Sequence, residues 1–279
     1  MKKRKKILLG VIIILLIAWI FWDNVRIGTS HYTVENSSLP DAFNGFKIVQ
    51  ISDLHNASFG SENKRLLDII QNEKPDIIAI TGDIIDSNHT NVDIAIQFVE
   101  KAVQIAPVYY VTGNHEAWSE EYEATLKPKL NELGVIILQD ENSIIEKDHQ
   151  CINILGLNDP DFTIRGDMFG ESEAMINTKL DEIQPTGFSI LLSHRPELFP
   201  VYVKHGIPCV LSGHAHGGQF RLPFIGGLIA PDQGFFPKYT AGIYSEQNTK
   251  MLVSRGLGES IIPFRINNCP EVVVVKLCK

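Results

Sequence analysis

Short apolar runs bounded by proline, glycine or polar residues recur along the chain. Runs of this length and flanking predict buried strands. They occupy positions 46–52, 77–80, 108–111, 188–193 and 208–213. Similar but less regular runs at 135–138, 152–157, 251–254 and 272–277 predict further strands.

Amphipathic segments lie between many of these runs and repeat their apolar residues at helical spacing. We expect the one at 120–133 to be interrupted or kinked at Pro128, because proline cannot donate a backbone hydrogen bond. Alternating strands and helices favour an α/β arrangement with parallel strands. The predicted helices are at 61–73, 92–105, 120–133, 175–183 and 196–204.

The N-terminus has a different pattern, with five basic residues at 2–6 followed by an uncharged apolar stretch at 7–22. This stretch is slightly shorter than the roughly 20 residues that span a bilayer. Trp19 and Trp22 fit an interfacial anchor, and the basic residues predict a cytoplasmic N-terminus. A cleaved signal peptide is the alternative, but the residues around 18–22 are bulky for a cleavage site.

These patterns divide the chain into a cytoplasmic basic tail (1–6), a single-pass anchor (7–22), a tether (23–45) and a catalytic domain (46–279) on the extracytoplasmic side. We expect an edge strand near 33–34 within the tether. At 279 residues the chain can bury a sizeable core.

Charge and cysteine usage exclude some classes of function. The formal net charge is −8, and the five cations at 2–6 leave −13 for the rest of the chain. An acidic body argues against a nucleic-acid partner. The four cysteines lack the C-x-x-C spacing of a zinc knuckle. A disulfide between Cys269 and Cys278 is left open.

Polar side chains that can bind metals follow five of the apolar runs. In open α/β sheets, ligands bind at the carboxyl ends of the strands, so we expect these side chains to converge at one edge. We also expect Asp-x-His and His-x-His pairs in extended segments to project to the same side. The residues concerned are Asp53, His55, Asp83, Asn114, His115, His194, His214 and His216.

Carboxylate and amide oxygens combined with imidazoles suit Mn²⁺, iron or Zn²⁺ better than Mg²⁺ or Ca²⁺. Seven candidate ligands exceed the need of one tetrahedral ion, so two ions that share a carboxylate account for them better. Arg195 follows His194 directly and is a candidate for binding a substrate phosphate. A salt bridge to an acidic neighbour is its alternative.

The motifs resemble the signature of the calcineurin-like metallophosphoesterase superfamily over about residues 46–277. The segment from Gly213 to Tyr239 is similar to a bacterial membrane-associated branch with YkuE-like and YaeI-like phosphoesterases and relatives acting on UDP-diacylglucosamine. The matching motifs are Asp53-x-His55, Gly82-Asp83-x-x-Asp86, Gly113-Asn114-His115-Glu116, His194 and Gly213-His214-x-His216.

This resemblance implies a two-sheet β-sandwich flanked by helices, in four layers. It also implies that Asp53, His55 and His216 hold one metal ion. Asn114, His194 and His214 would hold the other, with Asp83 bridging. His115 would lie near the leaving group as general acid or as an electrostatic aid, and Asp86 would orient His115 or a ligand.

The sequence therefore predicts a metal-dependent phosphoesterase that uses a hydroxide bridging two metal ions for in-line attack. A lipid-linked or cell-envelope phosphate is the preferred substrate class. A general phosphodiesterase or phosphomonoesterase acting on small or nucleotide substrates is an alternative, as is a non-catalytic metal-binding envelope protein. Lactam and amide hydrolases with dinuclear zinc usually carry an early His-x-His-x-Asp-His motif, which this chain lacks.

Overall fold

Apolar residues along the central strands alternate between two hydrophobic cores. In β3 (Ile77–Thr81), Ile77 and Ala79 enter one core, whereas Ile78 and Ile80 enter another. Side chains of a strand point alternately to opposite faces, so such a strand is covered on both sides. The structure is a computed structural model that describes residues 2–166, 170–183, 185–259 and 262–279.

The first sheet has six strands, and its middle is parallel. The order across the sheet is β1 (Gly28–Glu35), β16 (Glu271–Cys278), β2 (Lys47–Ile51), β3, β4 (Val108–Val111) and β5 (Ile136–Ile137). Strands β2, β3, β4 and β5 run parallel, β16 is antiparallel to β2, and β1 at the edge is parallel to β16.

The second sheet also has six strands, with a parallel middle and an antiparallel strand at each edge. Its order is β14 (Gly242–Glu246), β15 (Thr249–Val253), β9 (Cys209–Ser212), β8 (Ser189–Leu192), β7 (Gln150–Gly156) and β6 (Glu141–Lys147). Two short ribbons follow β9, formed by β10 (Arg221–Leu222) with β11 (Gly226–Gly227) and by β12 (Ile229–Ala230) with β13 (Gly234–Phe235).

Helices cover the outer face of each sheet, and the two inner faces share one core. This four-layer sandwich confirms the expected fold. On the first sheet lie α2 (Lys64–Glu73), α3 (Val92–Ala102) and α5 (Lys127–Glu132), and on the second lie α6 (Glu171–Ile183) and α7 (Phe199–Lys204). The short helix α4 (Asn114–Trp118) follows β4 directly.

The interruption expected near Pro128 takes the form of a π-helical turn. Residues Tyr122–Leu126 form this turn, and Pro128 lies in the first turn of α5 behind it. Proline has no N–H to offer the preceding turn, so the helical ladder shifts its register there.

The N-terminal helix α1 (Lys2–Val25) is longer than the apolar stretch suggested. Within its segment Arg4–Val25, an 18-residue window has a mean hydropathy of 2.3 and is 6% buried, so the helix is long and apolar enough to cross a membrane. At 1.5 Å per residue, such a segment is about 30 Å long, comparable to the hydrocarbon core of a bilayer.

The edge strand expected near 33–34 is β1, which is longer and pairs with β16 along its whole length. Residues 28–35 of the expected tether are therefore part of the first sheet. Since β1 is antiparallel to β2, it begins at the edge of the sheet where β2 ends. Only Arg26 and Ile27 separate this point from α1.

The structure excludes the disulfide that the sequence left open. All four thiols are free; Cys269 lies just before β16, and Cys278 is the last residue of that strand. Nine residues of extended chain span about 30 Å, whereas a disulfide requires Cα atoms within about 7 Å.

Candidate metal centre

The eight polar residues expected at the strand ends do converge at one edge of the sandwich. The first sheet supplies those after β2, β3 and β4, and the second sheet supplies those after β8 and β9. None of the eight is more than 7% exposed. The two sheets thus bring together residues that lie up to 163 positions apart, from Asp53 to His216.

Two triads can each hold a metal ion. In the first, the His216 Nε2 atom is 3.2 Å from His55 Nε2 and 3.5 Å from the nearer Asp53 oxygen. In the second, His194 Nε2 is 3.1 Å from Asp83 Oδ2 and 3.1 Å from His214 Nδ1.

The Asp83 carboxylate lies between the triads. Its Oδ2 atom is 3.1 Å from His194 Nε2 and 3.5 Å from His55 Nε2. Burial alone would lower the pKa of His194, but the adjacent Asp83 carboxylate outweighs it and raises that pKa to about 10. The same negative field that favours a proton on this ring favours a metal cation in its place.

Asn114 provides a separate test of whether these residues fit a metal. Its side-chain oxygen is buried and has no hydrogen-bond partner in the part of the chain that the structure describes. Buried oxygens are nearly always satisfied. The donor set as a whole, carboxylates, imidazoles and one free amide oxygen, therefore fits a metal cation.

In the second triad, a neighbouring group contacts the outer nitrogen of each ring, the one that faces away from the other ligands. His194 Nδ1 donates to the Thr81 carbonyl at 2.8 Å, and His214 Nε2 lies 2.8 Å from Asp232 Oδ2. Such contacts fix the tautomer, so the inner nitrogen of each ring keeps its lone pair for a metal.

In the first triad, the Asp86 carboxylate lies beside His55 as an ion-pair partner. Its Oδ2 atom is 3.5 Å from His55 Nδ1 and 3.8 Å from His115 Nδ1. The interaction with His55 lowers the pKa of Asp86 to about 2, against the opposing effect of burial. Of the two roles the sequence left open, orienting a ligand is the one that the shorter distance favours.

His115 lies beside the cluster with its ring edge-on to His55, at 4.4 Å between centroids. The Ser87 amide donates to its Nδ1 atom at 3.0 Å, so a neutral His115 carries its proton on Nε2. Burial lowers the pKa of His115, although Asp83 opposes this shift. The neutral ring can therefore donate a hydrogen bond from Nε2 beside the two triads.

The Asp-x-His and His-x-His pairs do not lie in extended segments, contrary to expectation. Asp53, His55, Asp83, His214 and His216 all have φ between 44° and 65°, in the left-handed region. Each pair converges because the chain turns sharply beyond its strand. Such conformations are strained for residues with a side chain and cluster at functional sites.

Glu116 is a part of the site that the sequence reasoning did not assign. Its buried carboxylate accepts hydrogen bonds from the amides of Asp83, Ile84, Ile85 and Gly113, at 2.7 to 3.2 Å. It therefore joins the loops after β3 and β4. Burial, followed by the nearby Asp83 charge, raises the pKa of Glu116 to about 7. The sequence does carry a signal for this role: Glu116 is three residues after Gly113, the residue that caps α4, which is the spacing of a capping box.

Arg195 forms a salt bridge to an acidic neighbour, which the sequence left as the alternative to binding a substrate phosphate. Its guanidinium donates to both oxygens of Asp159, at 2.7 and 2.8 Å, and contacts Asp161 and Asp232. One of its nitrogens is 3.3 Å from His214 Nε2. Arg195 also lines the cavity, so its contact with a substrate phosphate stays a prediction.

A cavity of about 750 Å³ opens over the cluster. It is lined on one side by Asn114, His115 and Trp118 and on the other by His214 and Asp232. The Trp118 ring lies 5.1 Å from that of His115 and is half exposed. A substrate in this cavity would contact both triads and His115.

A sandwich with a histidine–carboxylate cluster at the ends of strands from both sheets defines a metal-dependent phosphoesterase. The chain belongs to the calcineurin-like phosphoesterase family, whose family model matches residues 46–218.

The chain is 32% identical to the Bacillus subtilis protein "Uncharacterized metallophosphoesterase YkuE", with 90% of this chain and 85% of the relative covered. It is 25% identical to "Phosphodiesterase YaeI" of Escherichia coli, with 83% and 82% covered. The solved structure of TT1561 from Thermus thermophilus shares the fold, with a TM-score of 0.52, 12% identity, and 76% and 90% covered. The expected superfamily and branch are confirmed.

Glu116→Gln should destabilise the protein and weaken metal binding together. An amide nitrogen cannot accept the N–H bonds that the carboxylate accepts, and an unsatisfied buried donor costs about 1–3 kcal/mol. We expect a lower Tm in a thermal melt and a smaller metal content after dialysis. Glu132→Gln on the exposed face of α5 is the matched control. Unchanged metal content in Glu116→Gln would contradict the role of Glu116.

Proposed function

We propose that the chain hydrolyses a phosphate ester or phosphoanhydride at a centre of two metal ions, and that its substrate is lipid-linked or belongs to the cell envelope. The observation that carries the two-ion proposal is the buried Asp83 carboxylate, which lies within 3.5 Å of a histidine from each triad. One carboxylate with two oxygens is the usual way to hold two cations close together.

The two ions would have different ligands from this chain. Asp53, His55 and His216 would hold one, and Asn114, His194 and His214 would hold the other, with Asp83 between them. This mixture of donors suits manganese, iron or zinc. When bound, such ions act as Lewis acids toward a phosphoryl group and lower the pKa of water.

His115 would serve the leaving group. Because the Ser87 amide donates to Nδ1, the neutral ring carries its proton on Nε2 and would donate a hydrogen bond to the leaving oxygen, which stabilises the charge that develops there. The His55 ring packs against His115 on one side and Trp118 lies near it on the other, so the side chain is held in place. Arg195, already paired with Asp159, would add positive charge beside the phosphate.

The attachment of α1 supports a substrate in the membrane. The helix joins the first sheet at the edge that carries the metal cluster, with two residues between α1 and β1. If α1 spans the bilayer, this edge faces the membrane surface at short range. A phosphate on a lipid would then reach the cavity without leaving the bilayer. The basic residues at 2–6, at the start of α1, favour a cytoplasmic N-terminus and so support a domain on the extracytoplasmic side.

Asp83→Asn and His115→Ala should each reduce hydrolysis of a generic phosphodiester by about 10²-fold or more, the usual value of a proton donor or metal ligand. They should differ in metal content, because Asp83→Asn removes a ligand and His115→Ala does not. Metal analysis of the purified full chain separates the two causes. Asp148→Asn and His149→Ala, in the exposed turn between β6 and β7, are the controls. Rates like those of the wild type in both site variants would refute the mechanism.

The substrate proposal predicts a preference for phosphates anchored in the bilayer. The full chain in proteoliposomes should hydrolyse a lipid phosphate with higher kcat/KM than a water-soluble ester of the same head group. Phosphate release measures both reactions under the same metal loading. Equal or higher kcat/KM for the soluble ester, or for a nucleotide, would instead support a general phosphoesterase.

A further inference from the structure

The last turn of α1 is hydrogen-bonded to the segment at 262–268. The Asn24 side chain makes two bonds to the Arg265 backbone: its oxygen accepts from the Arg265 amide at 2.7 Å, and its nitrogen donates to the Arg265 carbonyl at 2.8 Å. Beside it, the Asp23 carboxylate accepts from the Asn268 amide at 2.9 Å. Asp23 is 1% exposed, so this carboxylate is part of the folded domain and not of its surface.

Arg265 continues the connection from α1 to the first triad. It is the largest fully buried side chain in the part of the chain that the structure describes. Its guanidinium donates to the Arg255 carbonyl at 2.5 Å and to the Gly258 carbonyl, and Nη2 is 3.3 Å from His216 Nδ1. Burial lowers the pKa of Arg265 to about 10, which still leaves it charged at neutral pH.

The loop that Arg265 holds supports Asp53 from behind. The Gly258 and Leu257 amides both donate to the Asp53 carbonyl, at 2.6 and 3.2 Å. At Gly256 an added Cβ would lie 2.7 Å from Asp53 Cβ, so the loop and the ligand are in direct contact.

Asn268 forms a second, parallel connection. Its amide is bound to Asp23, and its side-chain nitrogen donates to the His216 carbonyl at 2.7 Å. An added Cβ at Gly217, the next residue, would lie 2.1 Å from the Asn268 oxygen. The ring and the backbone of His216 are thus both fixed by residues that bind the end of α1.

The second triad has different supports. Thr81 holds His194, and Asp232 holds His214. Among the described residues, neither support is hydrogen-bonded to α1. The end of α1 is therefore connected to one half of the cluster and not to the other.

We propose that the last turn of α1 is a positioning element for the Asp53–His216 half of the metal centre and acts through Arg265 and Asn268. The proposal rests on the proposed function for the assignment of the ligands. A helix that served as an anchor alone would need neither a buried carboxylate nor paired bonds to the segment that holds a ligand. Asn24, Asp23, Arg265 and Asn268 are the positioning residues.

Titration of the metal-free full chain in detergent with Mn²⁺, followed by electron paramagnetic resonance, tests this proposal. Arg265→Met should weaken one of the two binding steps by about 10- to 100-fold, as is typical when a residue supporting a metal ligand is lost. Asn24→Ala should weaken the same step by about fivefold, because it removes both bonds to the Arg265 backbone but leaves the Arg265 side chain in place. The other step should stay unchanged in both variants.

Arg65→Met is the matched control, since Arg65 is exposed and donates to the Val25 carbonyl at 3.2 Å without a described contact to either triad. It should bind Mn²⁺ like the wild type. Arg265→Lys keeps the charge with a single donor group, and partial recovery of the weakened step is expected. If Arg265→Met does not fold, Asn24→Ala at its half-exposed position decides the outcome.

Two results would overturn the proposal: equal weakening of both steps, or a lower Tm in Asn24→Ala with unchanged Mn²⁺ affinity. Either would mean that the end of α1 supports the fold alone. A wild-type chain that binds no Mn²⁺ and has no phosphoesterase activity would instead refute the proposed function. Two binding steps and turnover in the wild type, with variants that match it, would remove this inference and leave the proposed function intact.

Discussion

Buried negative charge at the edge of the sandwich is the constraint on which the rest of the structure depends. Asp53 and Asp83 are at most 1% exposed and lie among four imidazoles, so positive charge from a metal ion or a protonated imidazole stabilises them. The surrounding backbone approaches these carboxylates closely. Gly113 lies so close to Asp83 that an added Cβ would be 2.2 Å from the carboxylate oxygen, which leaves glycine as the residue that fits.

The supports of the cluster come from many parts of the chain. The Glu116 carboxylate joins two loops of the first sheet, and Asp232 reaches the cluster from the ribbons after β9. Each support binds the outer side of a ligand or the backbone beneath it. A centre built in this way has little freedom to rearrange, because neighbouring side chains and backbone groups hold its ligands.

The two-sheet sandwich followed from the resemblance to the phosphoesterase family. The convergence of the strand ends and the residues that meet there were predictable from local patterns, since each polar residue directly follows an apolar run. The left-handed conformation at Asp53 and His55 was not predictable in this way, because it depends on tertiary contacts with the loops of other strands. Arg265 was missed for a similar reason: its partners, His216 and Gly258, are brought to it by the fold and by no motif.

The two-residue link between α1 and β1 limits where this domain can work. With α1 in a bilayer, the cavity can sample a thin layer next to the lipid head groups and little beyond it. For a substrate in the same bilayer, as proposed, encounter would be a lateral search in two dimensions, governed by the number of substrate molecules per unit area. Adding inert lipid would slow such an enzyme, whereas adding buffer to the same vesicles would not.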